Sequence, residues 1–120
     1  MKVYIAGRIT GDENYKAKFE AAKRYLENEF NFTVLNPAVM PEGMKPADYM
    51  RICFAMLDTA DMVVFLPDYK ESKGAMLERA WCEYTGRPFL YFGEVKDAFS
   101  DRRHKEWPER EKCERRGANG

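Results

Sequence analysis

Histidine is nearly missing from this sequence: there is one, His104, in 120 residues. Catalysis by a Ser–His or Cys–His pair therefore has almost no material to work with. Cysteine is scarce too. Cys53, Cys82 and Cys113 include no C-x-x-C pair, and their odd number and wide spacing argue against a disulfide framework and a zinc site. Neither sign of charge is in excess, because 20 Lys and Arg balance 20 Asp and Glu, so no overall field draws nucleic acid or an anionic membrane. No apolar run approaches the roughly 20 residues that span a bilayer, and "MKVYIAGRI" has neither an h-region nor a cleavage site. The expectation is a cytoplasmic protein with no nucleic-acid or membrane partner, no metal and no cofactor.

What is present reads as alternating strands and helices in one domain. "KVYIA" (2–6) is a β-forming run closed by Gly7. Asp12 or Asn14 can cap a helix to about Phe30, with Tyr15, Phe19, Ala22 and Leu26 on one face. "FTVL" (32–35) predicts a second strand. Three prolines and a glycine in 36–46 argue against a regular element there. A helix from Ala47 to about Ala60 carries the stripe Met50, Cys53, Phe54 and Leu57. "DMVVFLP" (61–67) is a continuous apolar run of the kind buried on both faces of a parallel sheet. A helix from about Gly74 to Tyr84, ended by Gly86, leads to a fourth strand in "PFLYF" (88–92). The predicted fold is α/β: an open Rossmann-like or flavodoxin-like parallel sheet of four to five strands with helices on both faces. Residues 1–94 make the domain. Residues 95–120 are a charged tail, mobile or marginally helical, with Trp107 as a possible anchor.

In open parallel sheets, ligands bind beyond the carboxyl ends of the strands. The loops leaving those ends are "GRITGD", "NPAVMPEG" and "DYKESKG". "AGRITG" fits neither the dinucleotide nor the P-loop spacing. Gly7 and Gly11 with Thr10 between them suit an anion, although an ordinary tight turn explains the same residues. Ser72 before a helix is first an N-cap, and a helix start bearing Ser72 and Lys73 is also an anion site. Glu78 is either a solvated helix carboxylate, like its neighbours Arg79 and Glu83, or a group aimed at the rim. Tyr4 reads first as packing. Tyr49 and Tyr69 border the rim loops and are placed either to stack on a base or simply to pack.

"VYIAG", the strand "TADMVVFLPD" and "SKGAMLERAWCEYTGRP" together resemble the nucleoside 2-deoxyribosyltransferase family, in a small phage- and bacteria-type branch. Its superfamily includes the deoxynucleoside-5′-monophosphate N-glycosidases. The resemblance covers residues 2–92, and Tyr4, Ser72, Gly74 and Glu78 stand at the positions of the family's site. It implies N-glycosidic cleavage or 2-deoxyribosyl transfer on a deoxynucleoside or its 5′-monophosphate, with Glu78 as nucleophile in a retaining mechanism. Tyr4 would orient that carboxylate, and the positive end of the helix would keep it ionised. Gly7, Thr10, Ser72 and Gly74 would hold a phosphate, with Arg8 and Lys73 adding charge. Two positions depart from the pattern. Cys53 stands where the family has an aspartate, and Arg8 replaces a proline. Proton transfer typically contributes about 10²–10⁴-fold. The departure therefore leaves three readings: a slow enzyme, a role taken over by Asp68, or a nucleotide-binding or sensing module without turnover. The resemblance also implies a homodimer or larger homo-oligomer, with apolar residues in "PAVMPEGM" and the second helix as its surface.

Overall fold

The computed structural model describes residues 1–99. Four strands, β1 (Lys2–Ala6), β2 (Thr33–Leu35), β3 (Met62–Phe65) and β4 (Phe89–Tyr91), form one sheet in the order β2-β1-β3-β4. All three pairings are parallel, and Tyr4 lies between Leu35 and Val63. Chain order reverses between β1 and β3, which makes the gap beyond their carboxyl ends the topological switch point.

Four helices cover the sheet: α1 (Tyr15–Phe30), α2 (Pro46–Thr59), α3 (Lys73–Thr85) and the short α4 (Val95–Phe99). The period-2 alternation of β1 and β3 divides the core in two. Val3, Ile5, Met62 and Val64 face α1 through Phe19, Ala22 and Leu26. Tyr4, Ala6, Val63 and Phe65 face the other way, toward Cys53 and Leu57 of α2 and Ala75 and Cys82 of α3. Right-handed crossovers require this division: the step from β1 to β2 runs opposite to the steps from β2 to β3 and from β3 to β4, so α1 lands on the face opposite α2 and α3. Tyr4 thereby points at α3 rather than α1.

Local chemistry sets the boundaries. Pro46 opens α2, where its missing N–H costs nothing. Asn31, at φ 60, ends α1, and Gly86, at φ 76, ends α3; in each the N–H caps a free helix carbonyl. Segment 36–46 contains one ordered piece the prolines did not foretell, a 3-10 turn over Pro37–Val39 in which Asn36 Oδ1 accepts the Ala38 N–H. At the other end the packed structure continues past residue 94. Val95 is fully buried against the α1 face, and the Phe99 ring meets Phe30 and Phe32 edge-on. The expectation of a mobile or marginally helical tail concerns residues that otherwise lie outside those described.

Candidate functional site

Below the switch point, Tyr4 and Glu78 meet. The Tyr4 hydroxyl donates to Glu78 Oε2 at 2.6 Å, joining β1 to α3 across 74 residues of sequence. Both side chains are buried, Tyr4 at 1% exposure and Glu78 at 3%. Among the described residues, Glu78 is the one charged side chain in the core. The Cys53 thiol of α2 packs in the same buried cluster as Tyr4. The one fully enclosed polar side-chain atom without a partner among the described residues is Nε of Arg87. Among the described residues the second oxygen of Glu78 accepts no hydrogen bond, and it is not among such sealed atoms.

Burial decides the electrostatics. It pushes the Glu78 carboxyl up to about 7, and the Tyr4 hydrogen bond pulls only partly against it. The expectation that the helix N-terminus keeps this group ionised is corrected here. Glu78 is the sixth residue of α3, beyond the first turn where free N–H groups act, and desolvation prevails. The Tyr4 phenol is raised well above its ordinary value by burial and then by the Glu78 charge. Burial likewise lifts the Cys53 thiol to about 11 and that of Cys82, one turn further along α3, to about 12. At neutral pH the carboxyl titrates while its neighbours stay protonated.

The rim loops form a clasp. Asp68 Oδ1 accepts the Arg8 N–H at 3.1 Å, and its Oδ2 pairs with Lys18 Nζ. Lys18 also reaches the Arg8 carbonyl at 2.8 Å and Asp12 Oδ2 at 2.6 Å. Gly7 is needed at this close approach, because a Cβ there would stand 3.0 Å from Leu66 and 3.1 Å from Asp68 Oδ1. Asp68 is thus committed to the rim, and no contact joins it to Tyr4 or Glu78. The Arg8 guanidinium is likewise engaged. It donates to the carbonyls of Thr10 and Gly11 at 3.3 and 3.2 Å and to Glu71 Oε1 at 3.1 Å. Thr10 and Lys73 stand exposed at the rim.

Ser72 caps α3, its Oγ accepting the Ala75 N–H at 3.1 Å. A hydroxyl that accepts still has its own proton to donate, so the cap leaves Ser72 able to bind an anion. Gly74 lies under Met50 of α2. Tyr49 is used inside segment 36–46, donating to the Pro41 carbonyl at 2.5 Å. Tyr69 stacks on Tyr91 with ring centres 5.4 Å apart. An open groove of about 620 Å³ lined by Lys70, Glu71, Lys73, Met76 and Leu77 lies on the outward side of α3, opposite Glu78. Among the described residues, no three His, Cys, Asp or Glu are arranged to hold a metal ion, and no helix is long and apolar enough to cross a membrane.

Sequence reasoning missed Lys18 and Glu71, and it read Met50 only as part of the apolar stripe of α2. Lys18 had a signal: it adjoins Phe19 and follows Tyr15 by three residues, so it is a cation at the edge of a buried stripe. Glu71 had none, because its partner lies 63 residues away. No curated protein and no solved structure matches this chain. Residues 1–91, which hold every one of these groups, match the family described as a domain of unknown function, DUF4406, and the chain belongs to that family.

Proposed function

We propose that this chain cleaves the N-glycosidic bond of a deoxynucleoside or its 5′-monophosphate, passing the sugar to water or to a second base. The single observation behind this reading is the buried Tyr4–Glu78 hydrogen bond beneath the switch point of a parallel sheet. Tyr4 holds Oε2, which leaves the other oxygen of the carboxylate to attack C1′ of the sugar. The C1′–N bond breaks and its electron pair leaves with the base, while a glycosyl ester forms on Glu78. Water or an incoming base then displaces the ester and regenerates the carboxylate. A nucleophile must be ionised, so turnover rises with pH through about 7. Ser72 and the first amides of α3 suit a 5′-phosphate. Arg8 already holds the carboxylate of Glu71, a charge of the same sign as a phosphate.

The direct test incubates the protein with a panel of deoxynucleosides and their monophosphates and follows free base by chromatography. Base release that disappears in Glu78→Ala is expected; no release from any member of the panel removes the reading. One observation favours a second reading, a nucleotide-binding module without turnover. The Cys53 thiol, at about 11, is a poor proton donor to a leaving base. Calorimetry separates the two, because tight nucleotide binding that survives Glu78→Ala with no product favours the binder.

We also infer a homodimer. Its surface lies mainly on α3 rather than in segment 37–44, where Pro37 and Ala38 are buried and Val39 is the large apolar side chain that stands exposed. Met76, Leu77, Trp81 and Tyr84 form an exposed apolar stripe opposite the buried face of α3. An antiparallel pairing of two α3 helices would set exposed Lys73 at one end against Glu83 at the other.

A further inference from the structure

We propose that the Met50 side chain is the gate to the Tyr4–Glu78 pair, and so the residue that decides which ligands reach the carboxylate. What passes the gate rests on the glycosyl reading above; the gate itself does not.

Both α2 and α3 begin at the carboxyl ends of the strands and run away from the rim. On α2, Met50 precedes Cys53 by three residues, and on α3, Gly74 precedes Glu78 by four. Residues three and four apart share a helix face, one turn above the other. Glu78 holds the Tyr4 hydroxyl, and Cys53 packs in the same buried cluster as Tyr4. Met50 and Gly74 therefore form the next layer toward the rim, one turn above Cys53 and Glu78.

The two residues of this layer touch. A Cβ on Gly74 would lie 3.0 Å from Met50 Sδ and 3.8 Å from its Cε, so the thioether fills the notch that the missing side chain leaves. Beneath it Tyr4, Glu78 and Cys53 are 1%, 3% and 7% exposed. Met50 itself is half-buried. An unbranched side chain with three rotatable bonds can leave such a notch by changing rotamer alone, without moving either helix. With that chain aside, the nearest neighbour left to the Gly74 Cβ position is Ser72 Oγ, at 3.8 Å.

The experiment reads access through Cys53, which lies under the gate, against Cys82, which is fully buried one turn beyond Glu78. In a Cys113→Ser background, wild type, Met50→Leu and Met50→Ala are treated with a small neutral thiol reagent. Each cysteine is then followed by peptide mass mapping. Met50→Ala is expected to speed Cys53 modification by about tenfold or more, because access limits the reaction of a buried thiol. Met50→Leu, which keeps the volume, should stay within about twofold of wild type. Cys82 should not change in any of the three. Unchanged Cys53 in Met50→Ala overturns the proposal, as does equal acceleration in Met50→Leu, or Cys82 rising with Cys53, which would mean general loosening. Base release is measured on the same proteins. Selective exposure of Cys53 without base release keeps the gate and removes the glycosyl reading. Base release with Cys53 unmoved does the reverse.

Discussion

Glu78 is a carboxyl that costs the fold stability in exchange for its position. Its value is raised from 4.5 to about 7, so between those limits the unfolded chain is ionised while the folded one keeps its proton. Stability from this group is present in full below the unfolded value, falls as pH rises, and is gone above about 7. A displacement of that size corresponds to about 3 kcal/mol. Glu78→Gln keeps the shape and cannot ionise. It is expected to abolish base release while melting higher than wild type at pH 8, with the two melts converging near pH 4.5. A gap in melting temperature that does not vary with pH would contradict this account. Tyr4→Phe removes the hydrogen bond that holds the carboxyl down. The midpoint of the pH–rate profile should move alkaline, with a stability loss of about 1–3 kcal/mol. A midpoint that stays put would mean that Tyr4 packs without tuning Glu78.

At the scale of elements, the helices are held where capping and close approach set them. Ser72→Ala removes the α3 cap and should cost about 1 kcal/mol in chemical denaturation. If the same hydroxyl also donates to a phosphate, KM for a monophosphate rises more than KM for the bare nucleoside. An equal change in both would leave Ser72 as a cap only. Gly7→Ala presses a methyl against Leu66 and Asp68, and overpacking of this kind costs about 1–3 kcal/mol. Because the same methyl disturbs the Asp68–Lys18 clasp, loss of rim function should accompany the loss of stability in that variant.

At the scale of the whole molecule, α3 is apolar on two faces. The inner face is used by the sheet; the outer one, with Leu77 at 57% and Tyr84 at 86% exposure, has no cover among the described residues. A charge placed in the centre of that stripe would be repelled by a second copy and tolerated by a monomer. Sedimentation at micromolar concentration should therefore give a dimer for wild type and a monomer for Leu77→Glu, with unchanged folded structure. A monomer in both would reject self-association through this face.

The alternation of apolar runs with amphipathic stretches determined the four strands, the three long helices and their parallel arrangement, because each is written in local periodicity and in the handedness of crossovers. Tyr4, Ser72, Gly74 and Glu78 were grouped only by the resemblance, since spacing alone left Glu78 a helix carboxylate and Tyr4 a packing residue, whereas Gly86 was legible from its position after the helix. Only the tertiary structure decided that Tyr4 and Glu78 share a hydrogen bond, that Asp68 serves the rim through Lys18, and that Met50 covers Gly74. It also moved the titration of Glu78 up to about 7. Helix position argued for an ionised group, but the cost of desolvation depends on what the rest of the chain packs around a residue, and no local pattern encodes that.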